Sequence, residues 1–169
     1  MSGYLFEAPS IPTIPVRGES GLFPVRRIFC VGRNYAAHAA EMGVEVDREA
    51  PFYFTKSAFM AQPTGTTIPY PPGTQNFHYE MELVLALGKP VFKAKREKAK
   101  AAIFGYACGL DMTRRDLQIA ERTKQRPWDL GKDVEHSAVL APITKVADFG
   151  AVANQRIHLE LNGKTKQDS

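Results

Sequence analysis

Glu80 and Glu82 stand two residues apart in a run, Phe77 to Leu87, that alternates between two residue classes. Side chains at i and i+2 of a strand point the same way, about 7 Å apart along the chain. Two carboxylates so placed repel each other unless a positive charge sits between them. A hard divalent cation is the natural partner, because Mg²⁺, Mn²⁺ and Ca²⁺ prefer oxygen ligands. Taken alone, the same pair reads as an exposed strand face at a sheet edge, since acids are mostly exposed. Asp111 alters the balance. It ends an apolar run just before a helix, where functional groups are often set, although a helix N-terminus also favours an acid for its dipole alone. A third carboxylate would complete a site that leaves positions open for water or substrate.

His38 and Glu41 are three apart on a short helical stretch and share a face. A carboxylate beside an imidazole fixes its tautomer and raises its basicity, as a general base needs. The alternative is a surface pair worth a few tenths of a kcal/mol. Lys132 lies between Gly131 and Asp133 in a turn-rich segment, where an ammonium can stabilise a developing oxyanion. Arg33, Arg114 and Arg115 offer guanidinium forks suited to a carboxylate, or to surface ion pairs. Cys30 and Cys108 are flanked by strand formers and read as buried small hydrophobes. No zinc spacing, phosphate loop or dinucleotide fingerprint occurs.

These residues must be positioned by strands more than by helices. Residues 26–31 and 51–56 read as strands, separated by a short helix from Tyr35 to Met42 with Asn34 as its N-cap. In Phe77–Leu87, Met81, Leu83, Leu85 and Leu87 form a greasy face, and Glu80, Glu82, Val84 and Ala86 the opposite one. A helix is predicted over 93–104, a buried strand over 105–111, and a second helix capped by Thr113 and running to about Lys124. Residues 62–73 are rich in Pro, Gly and Thr and read as loop. Strands follow at 137–140 and 157–162, the last ending in an Asn162–Gly163 turn. Many strands joined by loops, with few short helices, argue for an α+β, mainly β fold.

The chain has 169 residues, a size that fits one domain with a sizeable core. A Pro-rich N-terminal arm over 1–24 precedes the domain at 25–169. Two cysteines rule out a disulfide scaffold. No apolar run approaches the roughly 18 residues of a membrane span, and no signal peptide is visible, so a cytoplasmic protein without membrane contact is expected. The net charge of +4 invites a nucleic-acid reading. Lys93, Lys95, Arg96, Lys98 and Lys100, offset by Glu97, account for the whole excess. A solvated helix face explains that run, and no nucleic-acid partner is expected.

Together these pieces resemble the fumarylacetoacetate hydrolase family, in its acylpyruvate and fumarylpyruvate hydrolase branch. The carriers are CVGRNYAAHAAEM at 30–42, FTK at 54–56, FHYEMELVLALGK at 77–89, GYACGLDMTRRDLQ at 105–118, RPWDLGKDVEHSAVLAPI at 126–143 and LELNGKTKQ at 159–167. The resemblance implies a mixed β-sandwich roll with a few short helices, usually a homodimer. It implies Glu80, Glu82 and Asp111 as metal ligands for Mg²⁺ or Mn²⁺, with Ca²⁺ as a crystal substitute. His38 and Glu41 would activate water, and Lys132 would be the active-site lysine. Arg33, Lys56, Arg115, Asp116 and Gln118 match positions around the substrate pocket. Tyr79, Ser57 and the DVEHS run depart from the usual family residues, and family members continue beyond a position matching Ser169 through strands that close the roll. The implied activity is hydrolysis of a C–C bond in an acylpyruvate, with fumarylpyruvate as the best match. Oxaloacetate decarboxylation or keto–enol isomerisation at the same site are alternatives, as is a non-catalytic truncated product.

Overall fold

The computed structural model describes residues 3–32, 34–35 and 50–169. Arg33, His38, Glu41 and the helix predicted from Tyr35 to Met42 lie outside them, except for Tyr35 itself. Among the described residues the protein is built mostly of strands. Strands β1 (Thr13–Pro15) and β2 (Leu22–Pro24) form an antiparallel hairpin. β3 (Ile28–Gly32) pairs antiparallel with β4 (Phe52–Lys56). The main sheet has the order β5–β8–β7–β6, with β9 also on β7. Its members are β5 (Ala61–Pro63), β6 (Phe77–Leu87), β7 (Ile103–Arg114), β8 (Ala138–Leu140) and β9 (Thr144–Lys145). Helices α1 (Arg96–Lys100), α2 (Arg115–Thr123), α3 (Asp129–Lys132) and α4 (Val146–Phe149) are short. β10 (His158–Leu161) and β11 (Lys164–Asp168) close a hairpin at Asn162 and Gly163, whose φ angles of 52° and 74° are those an Asn-Gly turn supplies. This is the mainly β architecture with few short helices that the sequence implies.

The long pairing of β6 with β7 organises the molecule. Glu80 faces Asp111, Glu82 faces Gly109, Val84 faces Ala107 and Ala86 faces Gly105. One face of this ribbon therefore carries small and apolar residues at one end and acids at the other. At the apolar end Ala86 and Ala107 join Ile14, Val16, Val25 and Ile143 in the buried core. The N-terminal segment supplies half of that cluster, with Ile14 only 1% exposed.

Several sequence expectations are corrected. The acid-bearing face of β6 is the inner one: Glu80 is buried, whereas Leu83, Leu85 and Leu87 are exposed. Alternation identifies the two faces but not which one other elements cover. Cys108 lies on the outer face and is exposed, while Cys30 is half-buried. The helix predicted over 93–104 shrinks to α1, because its residues are exposed almost throughout and bury no apolar stripe. Thr113 is no helix cap. It is the fully buried penultimate residue of β7, and Arg114 takes the cap position.

Candidate functional site

Beyond the apolar core, the inner face of β6 and β7 runs into a compact group of buried charges. Glu80 and Asp111 come from adjacent strands in register. Lys56 ends β4, Lys132 ends α3 and Arg115 opens α2. All five are buried, with Lys132 2% and Lys56 3% exposed. α3 can reach this depth because Gly131 packs directly on Gln118. A Cβ there would lie 2.8 Å from the Gln118 backbone nitrogen.

The ammonium of Lys132 bridges the two acids. It donates to Glu80 Oε2, to Asp111 Oδ2 at 2.7 Å and to Thr113 Oγ1 at 2.9 Å. All three of its protons are thereby used. Burial works against its charge, but Asp111 and Glu80 outweigh burial and hold the ammonium above the ordinary lysine range. Its Nζ also stands 4.8 Å over the centre of the Phe54 ring. Glu80 Oε1 accepts from Arg115, which also donates to Gln118 Oε1.

Lys56 is equally saturated. Its three protons go to the carbonyls of Met112 and Lys132 and to Ser137 Oγ. Asp111 Oδ1 lies 2.9 Å from the same nitrogen, yet makes no hydrogen bond. Asp111 Oδ1 is thus held by the lysine's charge at contact distance. It is a buried carboxylate oxygen paired with a charge, and among the described residues no group donates a hydrogen bond to it. Glu82 is half-buried on the same strand face, two residues from Glu80. The phenol of Tyr35 lies beside Glu82 and accepts from the Leu83 N–H at 3.2 Å; burial, then the Glu82 charge, pushes it up.

The structure thus brings Glu80, Asp111, Lys56, Lys132, Arg115 and Gln118 together. It sets Asp116 apart: that carboxylate accepts from Thr74 Oγ1, the Gln75 N–H and its neighbour Leu117. Arg114 is used on the carbonyls of Leu130 and Pro72. Sequence reasoning missed Thr113, Ser137 and Tyr35. Ser137 is wholly buried, accepts from Lys56 and donates to the Lys132 carbonyl. A serine directly before an apolar strand signals nothing of this.

Among the described residues no three His, Cys, Asp or Glu side chains are gathered closely enough to form a ready metal site. An ammonium stands between Glu80 and Asp111 instead. The donor chemistry nevertheless fits a hard divalent cation: Glu80, Glu82 and Asp111 offer only oxygens from one sheet face, and among the described residues Asp111 Oδ1 faces a charge but accepts no hydrogen bond.

Beside this cluster a cavity of about 340 Å³ opens against β4 and the start of α3. Phe29, Phe52, Phe54, Arg126, Trp128 and Lys132 are among its lining residues. Phe52 meets Trp128 edge-on with ring centres 5.0 Å apart, and Phe54 lies 5.9 Å from the same indole.

Comparison with known proteins gives a consistent result. The sequence model described as fumarylacetoacetate (FAA) hydrolase C-terminal matches residues 27–169. A fumarylpyruvate hydrolase of Ralstonia sp. is 53% identical over 131 residues, covering 76% of this chain and 67% of the relative. A mitochondrial oxaloacetate tautomerase of Caenorhabditis elegans is 34% identical over 83% of this chain and 65% of its own length. The chain therefore spans about two thirds of these curated relatives. The crystal structure of fumarylpyruvate hydrolase from Pseudomonas aeruginosa in complex with Mn²⁺ and pyruvate superimposes with a TM-score of 0.93 at 43% identity, over 99% of this chain and 73% of that one.

Proposed function

The chain belongs to the fumarylacetoacetate hydrolase family, and from that premise we propose that it carries the catalytic site of a metal-dependent acylpyruvate hydrolase, with fumarylpyruvate cleaved to fumarate and pyruvate. The observation that supports this most is the buried charge cluster, with Lys132 between Glu80 and Asp111 and with Lys56 paired to Asp111 Oδ1 at 2.9 Å. Glu80, Glu82 and Asp111 would hold the ion, Mg²⁺ or Mn²⁺. When bound, such a cation supplies the positive charge that a departing pyruvate enolate requires. The protein's own residues do the rest. His38, with Glu41 three positions on in the sequence, would take a proton from the water that attacks the distal carbonyl. Lys132, by turning one of the protons that it gives here to Glu80 and Asp111, would supply a charged donor to the oxyanion formed there. Arg115, itself held by Gln118 Oε1, holds Glu80 in place from the far side, and Lys56 fixes the backbone of Lys132.

The test is Glu80→Gln, assayed for Mn²⁺ affinity by calorimetry and for pyruvate release from acylpyruvates. Both are expected to fall by about tenfold or more, as when one ligand of a charged site is neutralised. Unchanged affinity and turnover would refute the ligand assignment. His38→Ala is expected to lose turnover and keep metal. The similarity to an oxaloacetate tautomerase favours a second reading, in which the same site interconverts keto and enol forms. That reaction needs no attacking water, so water incorporation from ¹⁸O-labelled solvent into the released acid separates the two.

A further inference from the structure

The aromatic cavity is not explained by the carboxylate cluster. It shares Lys132 with that cluster at one end, and its walls are rings: Phe52 and Phe54 set against Trp128. Such walls favour a flat, conjugated group over a flexible or branched one. Its volume of about 340 Å³ lies at the small end of the range that holds a ligand. Two cations line it, Lys132 and Arg126, against one acid, Asp129. Lys132 is wholly engaged with Glu80, Asp111 and Thr113. Arg126 is exposed and forms no ion pair with another described residue. Pro127, next to it, restricts its backbone to extended conformations. A planar guanidinium lining an aromatic slot is suited to a carboxylate, which it can bind with two parallel hydrogen bonds.

We infer that this cavity is the subsite for the acyl part of the substrate, that it takes a flat unsaturated chain ending in a carboxylate, and that Arg126 reads that carboxylate. The inference rests on the fumarylpyruvate reading and adds to it the cavity that would take the acyl group and the residue, Arg126, that would read its carboxylate. The scissile carbonyl then lies toward Lys132 and the tail toward Arg126, so the two cations of the cavity meet the two ends of the acyl group. Arg126 is a specificity residue here, and Phe52, Phe54 and Trp128 select for planarity.

Trp128 is the chain's single tryptophan, so its intrinsic fluorescence reports directly on this cavity. Fumarate titrated into the protein in the presence of EDTA, which removes the metal site from play, is expected to change that fluorescence saturably. Arg126→Met is expected to weaken fumarate binding about tenfold or more, the loss of one charged hydrogen-bonded contact, and Arg126→Lys to recover part of it. In kinetics, Arg126→Met is expected to lower the preference for fumarylpyruvate over acetylpyruvate by a similar factor. A fluorescence signal that does not respond to fumarate, or an Arg126→Met protein that binds fumarate as well as the parent, overturns the subsite. If fumarate binds through Arg126 but no acylpyruvate yields pyruvate, the subsite stands and the proposed reaction falls.

Discussion

Lys132→Met is the most informative single change to this molecule. The lysine is 2% exposed and gives all three ammonium protons to Glu80, Asp111 and Thr113. Its loss leaves Glu80 with Arg115, but leaves Asp111 with only the nearby charge of Lys56 and no side-chain hydrogen bond. Removing one partner from a buried ion pair costs about 3–5 kcal/mol. In a domain of this length each kcal/mol moves Tm by roughly 2–4 °C, so a fall of roughly 6–20 °C is expected. Thermal unfolding followed by circular dichroism in EDTA measures it. The effect of Mn²⁺ is expected to run the other way. In the parent protein the ammonium competes with an ion for the same carboxylates. The variant should therefore bind Mn²⁺ more tightly, and by mass action its Tm should rise further on adding the ion. Turnover should fall regardless, because the oxyanion loses its donor. A fall in Tm of less than about 3 °C, or a metal-induced rise no larger than that of the parent, would refute the reasoning that Lys132 and the ion compete for the same carboxylates.

Three further outcomes are expected. Thr74 first, then the Gln75 and Leu117 N–H groups, hold the Asp116 carboxyl below the usual range; a carboxyl depressed on folding contributes stability above its unfolded value near 4 that is lost as pH falls through the folded value. Asp116→Asn should therefore flatten the acid limb of a Tm-against-pH curve and leave the neutral-to-alkaline slope alone. Cys108 is exposed, whereas burial and the charge of Asp111 push the Cys30 thiol up to about 12; a chromogenic disulfide at pH 8 should titrate one thiol quickly and the other only after denaturation, with Cys108→Ser abolishing the fast phase. Gly131→Ala would press a methyl to 2.8 Å from the Gln118 backbone nitrogen and 2.9 Å from its Cα, an overpacking worth about 1–3 kcal/mol; it should lower Tm by roughly 2–12 °C.

What the sequence made legible follows from how local each signal is. The eleven-residue alternation of Phe77–Leu87 gives a strand with those very bounds, because a period of two over that length admits no other element. Asn162–Gly163 gives its hairpin for the same reason, with both residues at positive φ. Glu80 and Asp111 as a facing pair were half visible, since two runs read as strands still need a register. Lys56, Lys132, Thr113 and Ser137 were not visible as a group. They come from β4, α3, β7 and the turn before β8, and only the tertiary fold brings them within reach of one another. A lysine read in isolation is a surface residue, and a threonine before a helix is a cap. Both rules fail here because the buried acids demand donors, and that demand outweighs local preference.

The orientation of β6 shows where the missing signal lay. By hydrophobicity alone its leucines belong inside and its glutamates outside, and the structure reverses this. The deciding residues are on the other strand. Opposite Glu82, Val84 and Ala86 stand Gly109, Ala107 and Gly105. A Cβ on Gly109 would sit 2.8 Å from Val84 Cγ2 and 3.1 Å from Leu140 Cδ2, and one on Gly105 would strike the Thr144 carbonyl. A stripe of such small residues has no use on a face turned to solvent, and is required where other elements close down upon it. The same stripe ends at Asp111, so the face that packs most tightly is also the face that carries the charges. Apolar packing in place of a buried ion cluster is often neutral or stabilising by about 1–4 kcal/mol. Five charged side chains kept at the end of a well-packed stripe therefore fit the proposed reaction better than a purely stabilising role.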